Sequence, residues 1–198
     1  ALIIPPPPSI AASSYLLIDA KSKKVLVEKN SAQRLPPASL TKIMTSYVLA
    51  EEVDAGRASL DDMIKVSRNA WSQNPTFKGS SLMWIEAGKP VSLADLERGV
   101  VISSGNDASV AVAEHLAGTE SSFVEVMNQL AAELGLDNTV YRNPHGLPHP
   151  EHRTTARDLA TLSVALINGH PEHYKIYKEQ SFTYNGIKQY NRNSLLRS

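Results

Sequence analysis

Ser39 and Lys42 lie three residues apart in the stretch PPASLTKIMTSYVL, just after a proline pair. Leu40, Ile43, Met44, Tyr47, Val48 and Leu49 recur behind them at helical spacing, which puts both residues on one side of a first helical turn. A serine hydroxyl is a useful nucleophile only when a neighbour takes its proton. Lysine can take it only when neutral, and at an ordinary pKa of ~10.4 about one lysine in 2,500 is neutral at pH 7. Bringing that pKa near 7 requires roughly 4–5 kcal/mol of differential destabilisation of the cation. Burial against an apolar face and the positive end of the helix dipole both act in that direction. The free N–H groups of the same turn suit a developing oxyanion. Spacing alone does not establish this chemistry: with 22 serines and 11 lysines in 198 residues, chance supplies about one Ser-x-x-Lys pair, and the chain holds one. Ser-x-Asn recurs as well, at Ser67/Asn69, Ser72/Asn74 and Ser104/Asn106, and counting does not separate them.

The elements that must position these residues can be read from pattern. The helix that opens at Ser39 runs to about Val53 and stops near Gly56. Before it, SYLLID (14–19) and KVLVE (24–28) flank a polar turn and predict a hairpin. Segment 60–90 is mixed, with turns at Gln73-Asn74-Pro75 and Gly88-Lys89-Pro90 around the loop FKGSS. Ser92 with Asp95 three residues later opens a short helix, LADLERG. VVISSGN is a tight polar turn that delivers Ser104 and Asn106 to the head of an alanine-rich helix running from Asp107 to Gly118. SSFVEVMNQLAAELG is a further helix, with Gly135 at its C′ position. Residues 136–153 form a long irregular loop, a length associated with function, and Thr155 and Asp158 cap the helix ARDLATLSVALIN. A short helix near Pro171–Glu179 and a hairpin on Asn185-Gly186 close the chain. Strands, then helices, then strands predict an α+β fold with helices on an antiparallel sheet, although few strand candidates are available for that sheet.

Composition excludes several functions. Twenty basic residues balance twenty acidic ones and are dispersed, so neither nucleic acid nor an anionic membrane surface is indicated. The absence of cysteine removes disulfides, thiolate catalysis and cysteine-based metal sites together. No apolar run reaches the ~18–20 residues that span a bilayer. The start, ALIIPPPPSIAASS, lacks the basic region and long apolar core of an intact signal peptide; residues 1–13 read as a proline-rich extension, with Pro5–Pro8 favouring polyproline II. His145, His149, His152, His170 and His173, with Glu151 and Glu172 among them, raise a metal site, but the first three fall in a proline-rich loop without fixed ligand spacing, and no metal or other cofactor is expected. His115 reads as a packed or boundary histidine, and Trp71, Phe77 and Trp84 as core plugs.

Longer words carry more information than the short motifs. PPASLTKIMTSYVL, NPTFKGSSLMWI, SSGNDASVAVAE, LGLDNT, PHGL, TTARDLA and IYKEQSFTYNGIKQYNRNSLL occur in one order from about residue 14 to residue 198. Together they closely resemble the low-molecular-mass penicillin-binding proteins, specifically D-alanyl-D-alanine carboxypeptidases of the penicillin-binding protein 5 and 6 type. The resemblance implies the serine β-lactamase/transpeptidase-like fold, a helical subdomain packed on an antiparallel sheet. It also implies periplasmic action on peptidoglycan stem peptides ending in D-Ala-D-Ala, with acylation by β-lactams and attachment to the inner membrane through a C-terminal helix. By the same likeness Ser39 is the acyl-forming nucleophile, Lys42 its base, Ser104 a proton relay and Asn106 a ligand of the substrate amide. Ser81, His145, Leu147 and Arg192 are expected to border the cleft, and Ser72 to be ordinary loop.

Two departures from the family pattern qualify these expectations. Class A β-lactamases add a carboxylate that activates the deacylating water. In loop 136–158 the only glutamate is Glu151, in a context that does not match, so rapid β-lactam hydrolysis is disfavoured. The sequence also contains no Lys-Thr-Gly, which in the family follows NRN-x-LL on a sheet strand and supplies a cation and an oxyanion N–H. Residues 14–198 are therefore expected to be the N-terminal and helical part of a penicillin-binding catalytic domain, without the later strands and inactive alone. A class A-like β-lactamase and a non-catalytic peptidoglycan-binding relative are the alternatives.

Overall fold

The computed structural model describes residues 5–197; residues 1–4 of the expected extension and Ser198 lie outside them. Two antiparallel strands, β1 (Tyr15–Ile18) and β2 (Val25–Lys29), form the predicted N-terminal hairpin. A 3-10 turn, Ala38–Leu40, then leads into α1 (Thr41–Asp54). The expected helix start at Ser39 is corrected by this turn: Ser39 lies on it, two residues before the α-helix begins. After α1 come β3 (Met63–Lys65) and β4 (Pro90–Ser92), which pair antiparallel, and then α2 (Leu93–Val101), α3 (Asn106–Ala117) and α4 (Glu120–Glu133). The chain continues through α5 (Ala156–Gly169) and α6 (Pro171–Tyr174) to the hairpin of β5 (Ser181–Tyr184) and β6 (Ile187–Tyr190).

The helix starts follow the capping residues in the sequence. Ser92 accepts the Asp95 N–H, Thr119 the Ser122 N–H and Thr155 the Asp158 N–H, each satisfying an otherwise orphaned donor. The Asn185-Gly186 turn has positive φ at both residues, as a two-residue hairpin requires. The β3–β4 pair was not legible, because three-residue strands separated by a long segment leave no periodic signal and Pro90 reads as a turn. Among the described residues the six strands form three separate two-stranded sheets, so the α+β character is carried by helices with small antiparallel ribbons.

α1 is the centre of the molecule. Leu49 joins a core with Val91, Leu93, Leu96, Val100, Ile102 and Ala108 from β4, α2 and α3, while Met44, Tyr47 and Val48 face Phe123, Met127 and Leu162 from α4 and α5. Full burial of side chains such as Phe123 and Met127 contributes about 2–3 kcal/mol each. Close approach of α2 and α3 needs Gly99: a Cβ there would lie 2.3 Å from Met83 Sδ and 3.1 Å from Ala108 Cβ. Of the three aromatic residues read as core plugs, Phe77 is buried and Trp71 half-buried, but Trp84 is 51% exposed. Met83 and Ile85 turn inward on either side of it, and the local alternation sends Trp84 to solvent.

Candidate active site

Lys42, on the second position of α1, is 5% exposed. Its Nζ donates to Asn106 Oδ1 over 2.7 Å and to the His145 carbonyl over 2.8 Å. Burial pushes its pKa down to about 8; Asp107 opposes that fall and Arg192 adds to it. The N-terminal end of α1 disfavours the cation further. At a pKa of about 8, roughly one lysine in ten is neutral at pH 7, instead of one in thousands. Two acceptors match the two N–H bonds of a neutral amine and leave its lone pair free to receive a proton.

Ser39 is exposed on the turn above Lys42, and Ala38 beside it has φ +49°. The described residues include no hydrogen bond between Ser39 and Lys42, whose two contacts go to Asn106 and His145. An open cleft of roughly 450 Å³ is lined by Ser39, Ser81, Asn106, His145, Leu147 and Arg192 with their neighbours. Six of the eight expected residues thus share one cleft, and Lys42 touches two of them. Ser104 is half-buried with φ +56°, on the turn between α2 and α3; it is placed at the head of α3 but not in hydrogen-bond contact with Ser39 or Lys42. A larger groove of roughly 610 Å³ beside α5 is lined by aliphatic residues such as Leu16, Ile18, Val25 and Val164 and lacks a nucleophile–base pair.

Each wall of the cleft is fixed by backbone contacts. The Asn106 N–H donates to the Ser81 carbonyl at 2.9 Å, and the Arg192 N–H to the Ile102 carbonyl at 3.2 Å. His145 contributes its carbonyl, while its ring is buried edge-on to Phe77. Leu147 N–H donates to His145 Nδ1, so the ring is neutral with its proton on Nε2, and burial takes its pKa down to about 3. Asn143 holds the same loop by accepting the Gly146 N–H and donating to the Leu147 carbonyl. His152, equally buried, accepts the Arg142 N–H on Nδ1 and donates from Nε2 to Thr41 Oγ1 at 2.7 Å. His145 and His152 are thus hydrogen-bonded pins of the loop against α1.

Three residues that position the cleft were not read from sequence. Asp107 is fully buried and accepts from the backbone N–H groups of Met83, Trp84, Ile85 and Ala108, tying the 83–85 segment to the head of α3. Burial raises its carboxyl pKa against the pull of those four donors. Gly146 has φ +96°, and a Cβ there would stand 1.8 Å from the carbonyl oxygen of Ala38, which adjoins Ser39. Thr41 anchors the start of α1 to His152. Asp107 reads in sequence as a helix-start acid and Thr41 as a helix residue, so only the Gly146 position, in PHGL, carried a signal. The remaining expectations are placed plainly: Ser72 is a buried loop residue whose N–H meets the Ile85 carbonyl, His115 pairs with Asp62 at the surface, and Glu151 pairs with Arg142 away from the cleft.

The family model for peptidase S11, D-alanyl-D-alanine carboxypeptidase, matches residues 3–198. The chain is 50% identical over 184 residues to the D-alanyl-D-alanine carboxypeptidase DacC of Escherichia coli, covering 92% of this chain and 46% of that protein. Among solved structures it is similar to penicillin binding protein 5 from Haemophilus influenzae, with TM-score 0.94, 46% identity and coverage of 97% of this chain and 55% of that one. It is also similar to penicillin binding protein 6B from Escherichia coli, with TM-score 0.94, 47% identity and coverage of 98% and 62%. The chain spans about half the length of the curated relatives it matches. On sequence, fold and the residues gathered around Lys42, the chain belongs to the D-alanyl-D-alanine carboxypeptidase family.

Proposed function

We propose that the full-length protein is a serine-type D-Ala-D-Ala carboxypeptidase of peptidoglycan stem peptides. The observation that carries this reading is the buried Lys42, held by Asn106 Oδ1 and the His145 carbonyl beside the cleft-lining Ser39. Neutral Lys42 takes the Ser39 proton as Oγ attacks the carbonyl carbon of the penultimate D-alanine. The C–N bond then breaks, and the departing amine of the terminal D-alanine receives a proton relayed through Ser104. Water hydrolyses the resulting ester and returns Ser39. Asn106 presents its side-chain amide to the substrate amide, while Ser81, Leu147 and Arg192 border the bound peptide. The cation and second oxyanion donor of the family's Lys-Thr-Gly strand are not in this sequence, so this chain supplies the nucleophile side of the site and the later strands complete it.

β-Lactams acylate the same serine, since their strained amide resembles the scissile bond. The placement of Glu151 supports a carboxypeptidase over a β-lactamase: it is held by Arg142 on the surface and does not line the cleft, so no carboxylate from that loop is poised to activate water. Periplasmic location and attachment to the inner membrane beyond this chain belong to the same proposal; no described helix is long and apolar enough to cross a membrane. The test is covalent labelling of the full-length protein by a fluorescent penicillin. Label is expected on the wild type and absent from Ser39→Ala, with release of terminal D-alanine from a stem-peptide substrate. Labelling of Ser39→Ala would overturn the assignment, steady nitrocefin turnover would favour a β-lactamase, and no labelling at all would favour a non-catalytic binder.

A further inference from the structure

At the opposite end of α1 from Lys42, a second cluster of titratable groups joins three parts of the fold. Glu51 and Asp54 come from α1, Glu97 from α2, and His170 and His173 from the corner between α5 and α6. His170 Nδ1 is 2.5 Å from Asp54 Oδ2 and its Nε2 is 2.8 Å from Glu51 Oε1. His173 Nε2 is 3.2 Å from Asp54 Oδ1, and its Nδ1 is in hydrogen-bond contact with Glu97 Oε1. Both rings are buried, with Tyr47 edge-on to His170. An ionised carboxylate only accepts hydrogen bonds, so a ring that meets a carboxylate at both nitrogens is satisfied when both carry protons. For His173 the imidazolium is the form this geometry fits.

The surroundings offer little other compensation. Arg57 is engaged by Glu52, Arg98 by Glu179 and Lys175 by Glu172. Tyr47 faces Glu51 with Glu133 beyond it, and Tyr177, bonded to Ser46, faces Glu97. Glu97 is 1% exposed and its Oε2 has no hydrogen-bond partner among the described residues. Asp54 is nearly half exposed and can turn to water, but Glu97 cannot.

We propose that His173 is a proton-operated latch that ties the α5–α6 corner to α1 and α2 and loosens when its imidazole loses a proton. Deprotonation of His173 leaves Glu97 a buried anion facing one neutral donor, which is costly in a low-dielectric site. The hydrogen bond to Glu97 raises the His173 pKa, against the burial that lowers it. A histidine with a raised folded pKa stabilises fully below its unfolded value of ~6.5, and that stabilisation is lost as pH rises through the folded value. The same corner leads through β5 and β6 to Arg192 at the cleft, so the latch sits upstream of a cleft-lining residue. The inference stands independently of the proposed catalytic activity.

The test is urea unfolding of the full-length protein, wild type against His173→Gln, at about pH 6 and about pH 8.5. The wild-type unfolding constant is expected to rise at least tenfold more than that of His173→Gln across this interval. Asp54→Asn, which alters an exposed side chain, is a milder variant and should reduce the same pH dependence. Histidine nitrogen-15 spectra of the wild type near neutral pH should show both His173 nitrogens protonated. Equal pH dependence in wild type and both variants, a lone-pair nitrogen on His173 near neutral pH, or stabilisation by added zinc in place of protons would overturn the latch.

Discussion

Lys42 Nζ and Asn106 Oδ1 meet at 2.7 Å, so the first turn of α1 and the first turn of α3 share one buried polar contact. The proposed base and the amide proposed to meet the substrate are thereby coupled, and neither helix can shift without disturbing both. Since only neutral Lys42 can accept the Ser39 proton, the rate of acylation by a labelled penicillin is expected to climb about tenfold per pH unit and level off above pH 8. Stopped-flow acylation of the full-length protein reads this directly. A rate unchanged down to pH 6 would remove Lys42 as the base.

Gly146→Ala tests the support of the nucleophile turn. The new methyl would stand 1.8 Å from the Ala38 carbonyl oxygen, at a φ of +96° that side chains resist, so backbone beside Ser39 must move. A loss of at least about 2 kcal/mol in urea unfolding is expected, with acylation at least tenfold slower. Wild-type acylation in this variant would mean that the 145–147 loop does not set the position of Ser39.

Much of this arrangement was legible because short-range rules decided it. Ser92 and Thr155 announce their helices as caps, and Asn185-Gly186 announces its hairpin, whereas the Thr119 cap emerged only in the structure. Words such as SLTK and SGN pointed to residues that the fold brings to one region, Lys42 bonding Asn106 and Ser39 lining the same cleft, yet their spacing did not differ from chance; only their context in longer words gave them meaning. What stayed hidden depends on contacts distant in sequence. Asp107 finds donors 22–24 residues away, Lys42 finds the His145 carbonyl 103 residues away, and Thr41 finds His152 111 residues away. The exposure of Trp84 was missed for the same reason: an aromatic residue argues for burial until the backbone on either side is seen to bind Asp107.

Acid should loosen the loop that these histidines pin. Burial lowers the pKa of His145 to about 3 and of His152 to about 4, so both are neutral when folded, whereas unfolded histidine takes up a proton near 6.5. Their stabilisation is present above that unfolded value and is lost as pH falls below it, by up to about 1.4 kcal/mol per pH unit for each group. Urea unfolding between pH 6.5 and 4.5 should show that fall, and His152→Gln should flatten it. An unaltered slope in the variant would mean that His152 is not held neutral.

Asp107 and Arg192 act on Lys42 with opposite signs, which gives the most specific test of the site's electrostatics. Asp107 holds the Lys42 pKa up and Arg192 presses it down. Asp107→Asn removes a negative charge, so the acid limb of the acylation profile should move to lower pH. The replaced amide also loses good acceptors for the 83–85 backbone, at a cost of about 2–3 kcal/mol in stability and with a lower plateau rate. Arg192→Ala should move the limb to higher pH, with little change in stability because its side chain is exposed. Both shifts should shrink in high salt, the Arg192 one more, since its charge lies in the open cleft. Limbs that move in the same direction, or not at all, would show that the base is not Lys42 or that these charges do not reach it.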